Sequence, residues 1–275
     1  MAESLKQRVI TALILAAGFF VALFALPTRW FALFGLAILG GSAYEWGRLS
    51  KLTPNGARTF AALVVAVGLA LLFAPGIDVA SAVAPAFVIA LCALSGAFWI
   101  AVAPLWIARS WPTSNPALML ALGALILSAM WLGLVHLHAR SPWLLLATMV
   151  VVWLADTGAY FAGKKFGRRK LAPVVSPGKS WEGAIGGLIG VAAYALLIVI
   201  LAPAMAAVGP IVVVVALLLA AISIVGDLYE SWLKRNAGVK DSGALLPGHG
   251  GIMDRIDSAT AVLPVAALLL ALPRP

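Results

Sequence analysis

The 275-residue sequence predicts an all-α, polytopic integral membrane protein of about nine transmembrane helices, with a cytoplasmic N-terminus and an external C-terminus. Three observations predict it. Apolar residues make up 63% of the chain and charged residues 11%, with a mean hydropathy of +1.07, against roughly 45–50% and about 25% in a soluble domain. The apolar residues gather into nine runs near the length needed, at about 1.5 Å per residue, to cross a bilayer. The basic residues alternate between the connections in the way that short cytoplasmic loops demand.

The first run, Val9 to Leu26, is long and is not closed by a small-residue cleavage site, so it is expected to be retained as an anchor and not removed as a signal peptide. Trp30 to Trp46 and Phe60 to Ala74 follow, separated by Arg48, Lys51 and Arg58. The fourth run, Val79 to Ile107, holds Pro85, Gly96 and Pro104; at 29 residues it suits one tilted or kinked helix, with a re-entrant pair as the alternative. Ala117 to Leu137 and Trp143 to Phe161 bring the count to six, and Gly183 to Leu201, Val208 to Leu228 and Arg255 to Leu272 complete nine. With the N-terminus inside, 16 of the 19 Lys and Arg fall on the cytoplasmic side, leaving Arg29, Arg140 and Arg274 outside. That asymmetry also accounts for the net charge of +9, so nucleic acid is not expected as a partner. The single Cys92 excludes a disulfide framework, a zinc ribbon and an iron–sulfur cluster.

Seven of the ten acids lie between Asp156 and Asp257, which divides the chain into 1–142, about five spans, and 143–275, where the chemistry is expected, with cytoplasmic segments 163–182 and 226–257. Carboxylates at the ends of apolar helices are costly and therefore functional candidates. In the first segment, Gly178-Lys179-Ser180 resembles the end of a phosphate-binding P-loop, but Pro173 stands where its first glycine belongs. What remains is a turn opening a helix at Trp181, where backbone N–H groups and Lys179 can hold an anion. Glu182, in the first turn, suits a cap or a ligand equally. The basic cluster from Lys164 to Lys170 can serve simply as a cytoplasmic anchor.

In the second segment Asp227 and Ser231 are four apart and Asp254 and Asp257 three apart, so each pair shares a helix face. Hard oxygen donors without clustered His or Cys favour Mg²⁺. Lys234, Arg235 and Lys240 add positive charge, and the glycines around His249 allow close backbone approach to a ligand. The alternative for Asp227 and Asp254 is a structural ion pair with Arg235 or Arg255, and for His249 a loop hydrogen bond. His136 and His138, at the outer end of the fifth run, read as interfacial.

The run Ser231-x-Leu-Lys234-Arg235-x4-Lys240-Asp241-x-Gly243-x2-Leu246-Pro247-x-His249-Gly250-Gly251-Ile252-x-Asp254-Arg255-Ile256-Asp257 resembles the signature of the phosphatidate cytidylyltransferases over 27 consecutive positions. Asp156 to Gly183 resembles that family's upstream region, with Ser180 where threonine is more usual. The resemblance implies transfer of a cytidylyl group from CTP to phosphatidate, giving CDP-diacylglycerol and pyrophosphate, by an Mg²⁺-dependent homodimer in the bacterial inner membrane with its site facing the cytoplasm. It further implies Asp227, Asp254, Asp257 and Lys179 as catalytic residues; Asp227, Asp254 and Ser231 as metal ligands, with room for a second cation; and Ser176, Lys179, Lys234, Arg235, Lys240, His249, Gly250, Gly251 and Arg255 as substrate-binding residues. Asp156 is either a further ligand or the residue that orients Lys179. A kinase or cytidylyltransferase acting on another lipid, and an anion transporter, are the rival readings.

Overall fold

The computed structural model describes residues 2–111, 115–202, 208–246, 248 and 250–271, with side chains from residue 9 onward. Each of the nine apolar runs becomes one helical rod among these residues: α1 (Ala2–Ala25), α2 (Thr28–Leu49), α3 (Pro54–Phe73), α4 (Ala86–Arg109), α5 (Pro116–Arg140), α6 (Pro142–Phe166), α7 (Trp181–Leu201), α8 (Gly209–Asn236) and α9 (Met253–Ala271). Six of them, α3 to α8, are long and apolar enough to cross a membrane. The chain is a nearly all-α membrane protein. The remaining three include α2, which carries Glu45 within it, and α9, which opens on Asp254, Arg255 and Asp257.

Starts follow local chemistry. Thr53 and Asn115 accept from Gly56 N at 3.1 Å and Leu118 N at 3.2 Å, capping α3 and α5, each with proline in the first helical turn. Pro85, which has no N–H to give, precedes α4, so residues 79–84 stay outside the helix although they are apolar. The fourth run is a single rod, as expected, and its irregularity is a π-helical stretch over Phe98–Val102 leading into Pro104.

One element departs from the all-α expectation. Segment 163–182 holds an antiparallel hairpin, β1 (Lys170–Ala172) with β2 (Ser176–Ser180), paired Lys170 to Ser180 and Ala172 to Ser176. Three- and five-residue strands carry too short an alternation to stand out in a basic segment. α7 nevertheless begins at Trp181 as expected, because Ser180 Oγ accepts from Gly183 N at 3.1 Å.

Indole donors tie the N-terminal half together: Trp46 Nε1 donates to the Met119 carbonyl at 2.7 Å and Trp131 Nε1 to the Ala32 carbonyl at 3.0 Å, both joining α2 to α5. His136 and His138 are not interfacial side chains. They are 1% and 4% exposed, and His138 stacks on Phe31 while its ring nitrogens meet the Leu23 carbonyl at 3.0 Å and Thr28 Oγ1 at 3.1 Å. Aromatic stacking and two partners make the interior the better place for this ring.

α9 reaches the functional end by packing tightly on α5. Pro264 interrupts its hydrogen-bond ladder, and there a Cβ on Gly133 would lie 2.7 Å from the Leu263 carbonyl oxygen and 3.0 Å from Pro264 N. Backbone cannot step aside as a side-chain tip can. Gly133→Ala is therefore expected to lower stability by about 1–3 kcal/mol. Gly18→Ala, which meets nothing within 4 Å in mid-helix, should raise it by about 0.5–1 kcal/mol; thermal unfolding in detergent compares the two.

Candidate active site

Four elements bring polar groups into one network: α6 supplies Asp156, β2 supplies Ser176 and Lys179, α8 supplies Asp227, Glu230, Ser231 and Lys234, and α9 supplies Asp254 and Asp257. The hairpin is held at its base by Glu182, whose carboxylate accepts from Arg168 N at 3.0 Å, Arg169 N at 3.1 Å and Arg169 Nε at 3.2 Å. Glu182 thus fastens the segment entering β1. With that base fixed, β2 carries Lys179 across to α8, where its ammonium contacts the Asp227 carboxylate directly.

A cavity of about 430 Å³ opens here, lined by Asp156, Tyr160, Lys164, Ser176, Lys179 and Asp227 among others. Asp156 and Asp257 lie within electrostatic range of Asp227 and of each other, and Glu230 acts on Asp257 as well. Ser231 Oγ donates to Asp227 Oδ1 at 3.4 Å, one helical turn along. Carboxylates that repel one another across a cleft, with Lys179 and Lys234 compensating in part, make a place that attracts cations.

Lys234 sits between two acids, 2.5 Å from Glu230 Oε2 and 2.7 Å from Asp254 Oδ1, and all three side chains are 14% exposed or less. The other Asp254 oxygen accepts from Gly251 N at 2.8 Å and Ser242 N at 3.0 Å. Among the described residues, Asp227 and Asp254 are met by lysines and not by the arginine partner that a purely structural pairing suggested. Gly250 is left-handed, at φ 79°, and a Cβ there would lie 2.8 Å from Asp254 Oδ2. These glycines are therefore needed to let the loop close on the chain's own carboxylate, whatever they do toward a ligand.

The remaining expected substrate contacts spread outward. Arg235 and Lys240 are exposed around the 237–252 loop, Arg235 reaching the Val239 carbonyl at 3.4 Å, and Arg255 is exposed in the first turn of α9. His249 lies outside the described residues. Two acids enter the site that the sequence reading passed over. Glu230 was one of a cluster of seven with no role attached, and Glu45 lies in α2, far from the motifs. The signal for Glu45 was present, since an ionisable residue inside an apolar run is a functional candidate by default.

Among the described residues no three acidic, histidine or cysteine side chains meet closely enough to form a closed metal cage. The donors present are carboxylate and hydroxyl oxygens, the chemistry that suits a hard divalent cation whose shell is completed by ligand oxygens.

The model of the cytidylyltransferase family matches residues 6–272. The phosphatidate cytidylyltransferase of Pseudomonas aeruginosa is 42% identical over 286 residues, spanning 97% of each chain. That of Haemophilus influenzae is 39% identical, covering 94% of this chain and 96% of its own, and that of Brucella suis 37%, covering 97% and 92%.

The two lysines differ in what their loss exposes. Lys234→Met strands Glu230 and Asp254 in a buried site and is expected to destabilise the fold by about 3–5 kcal/mol. Lys179→Met breaks a pair whose side chains are 25% and 27% exposed and should cost about 1 kcal/mol. Denaturant unfolding of the detergent-solubilised protein measures both.

Proposed function

The chain belongs to the cytidylyltransferase family, and from that premise we propose that it transfers the cytidylyl group of CTP to phosphatidate, releasing pyrophosphate and forming CDP-diacylglycerol for phospholipid biosynthesis. The observation that carries this reading is the Lys179–Asp227 contact in the lining of the 430 Å³ cavity, with Asp156 and Asp257 in electrostatic range. Such a cleft takes a cation and the polyphosphate that comes with it.

A phosphate monoester is largely dianionic near neutral pH, with a second pKa of about 6, so a phosphatidate oxygen needs no protein base before it attacks the α-phosphorus of CTP. The new P–O bond forms as the bond to the β-phosphate breaks, and the electron pair departs with pyrophosphate. The barrier is the approach of two anions. Bound Mg²⁺, alone or with a second cation, supplies charge neutralisation on the phosphates. Asp227, Asp254 and Ser231 would hold it, with Asp156 and Asp257 as neighbouring oxygen donors. Asp254 also pairs with Lys234 and accepts from Ser242 N and Gly251 N. Lys179 exchanges its carboxylate partner for a phosphate oxygen, while Ser176, Arg235, Lys240, His249 and Arg255 contact the triphosphate or the lipid headgroup, and Gly250 and Gly251 shape the turn beside them. Orientation and electrostatics, not proton transfer, are what these side chains contribute.

The proposed setting is the bacterial inner membrane, with nine spans, the N-terminus inside, the cleft facing the cytoplasm and two copies forming a homodimer. The distribution of 16 of 19 basic residues supports this orientation.

Supplied with phosphatidate, Mg²⁺ and CTP labelled at the α-phosphate, the purified protein is expected to place label in lipid. Asp227→Ala should abolish incorporation, and Lys179→Ala should raise the CTP requirement or lower turnover; folded wild-type protein that leaves the lipid unlabelled refutes the assignment. For topology, single cysteines replacing Lys165 and Arg140 in a Cys92→Ala background should react with a membrane-impermeant thiol reagent from opposite sides. Labelling from the same side removes the nine-span arrangement.

A further inference from the structure

Glu45 is remote from every motif that marks the site, yet it is among the most buried acids, at 1% exposure. Its carboxylate accepts from Ser242 Oγ at 2.9 Å, Ile252 N at 3.0 Å and Met253 N at 2.8 Å. The last two are N–H groups at the start of α9, which a side chain of the preceding residues ordinarily caps; here a carboxylate from α2 takes them. A Cβ on Gly251 would lie 2.5 Å from Glu45 Oε2, and one on Gly243 2.8 Å from its Cδ, so both ends of the loop close onto this one group. With Ser242 N and Gly251 N given to Asp254, two carboxylates together hold Ser242, Gly251, Ile252 and Met253 in place.

We infer that Glu45 is a positioning residue for cytidylyl transfer: through Ser242, Ile252 and Met253 it fixes the loop that holds Asp254, and with it Lys234, in the geometry the nucleotide requires. This rests on the reading of the cleft given above. A carboxylate is suited to the task because all three partners are donors, and charged acceptors make the stronger hydrogen bonds. An amide in its place keeps the shape but presents an NH₂ toward at least one of those donors.

Glu45→Gln in the full chain is the informative variant, with Glu45→Asp as the charge-preserving control. In Glu45→Gln, kcat is expected to fall at least about tenfold, as small misplacements in an active site do, with the KM for phosphatidate unchanged. Hydrogen exchange should accelerate in peptides covering 242–253 and stay at wild-type rates in α5 and α6. Ser242→Ala should lose less, and the double variant no more than Glu45→Gln alone, since the two share a bond. Glu45→Asp should recover part of the lost kcat. Wild-type kcat in folded Glu45→Gln, additive losses, or exchange that rises in every helix would each overturn the inference. A wild-type protein that places no label in lipid removes the reading of the cleft and this inference with it, whereas labelling equal in wild type and variant removes this inference alone.

Discussion

An ion taken out of water between apolar helices loses several kcal/mol of hydration, which is recovered only when charge and hydrogen-bonding partners are complete. Lys234 meets its counter-charges from two helices: Glu230 lies one turn before it on α8 and Asp254 opens α9, while the far oxygen of Asp254 gathers the N–H groups of Ser242 and Gly251. Shifting α9 along α8 would carry Asp254 away from Lys234 and leave a buried carboxylate without its cation. The alignment of the two helices, the closure of the loop between them and the placement of Asp227 and Asp257 on facing surfaces all follow from keeping that lysine paired.

Beside this lysine-bridged pair of acids the chain leaves further charge unbalanced. Asp156, Asp227 and Asp257 come from three helices and act on one another, and the ammonium that meets them, Lys179, is carried on a two-stranded hairpin and not on a packed helix. Rigid acids and a lysine mounted on a small projecting element are a sensible division for a site that must first admit a cation with its polyphosphate and later release pyrophosphate. The fixed part sets where the charge goes, and the hairpin supplies a partner that can be exchanged.

Much of this was legible in the residues because hydropathy and charge are read at the scale of whole helices. All nine rods appear where the apolar runs lie, and α7 starts at Trp181. The boundary error at Val79 arose because the residues before Pro85 are largely apolar without being helical. Side-chain partners were less accessible. Spacing placed Asp254 and Asp257 on one face, but nothing in it tells that Asp254 would be met by Lys234 in place of Arg235 or Arg255, since that depends on how α8 and α9 are set against each other. The hairpin was hidden by its shortness, and Glu45 by its distance from the motifs: the concentration of acids after Asp156 drew attention to one half of a site that is completed from the other.

That completion also has an order in time. Glu45 and its partner Met253 are 208 residues apart, and at about 5–20 residues per second the ribosome needs roughly 10–40 s to travel between them. Through that interval the Glu45 carboxylate lacks the three partners that the later chain supplies, so water or a temporary neighbour has to accompany it. Maturation of the enzyme is then gated by α9, and a nascent chain stalled before it would display an unmet acid, a mark by which quality control could tell unfinished copies from finished ones.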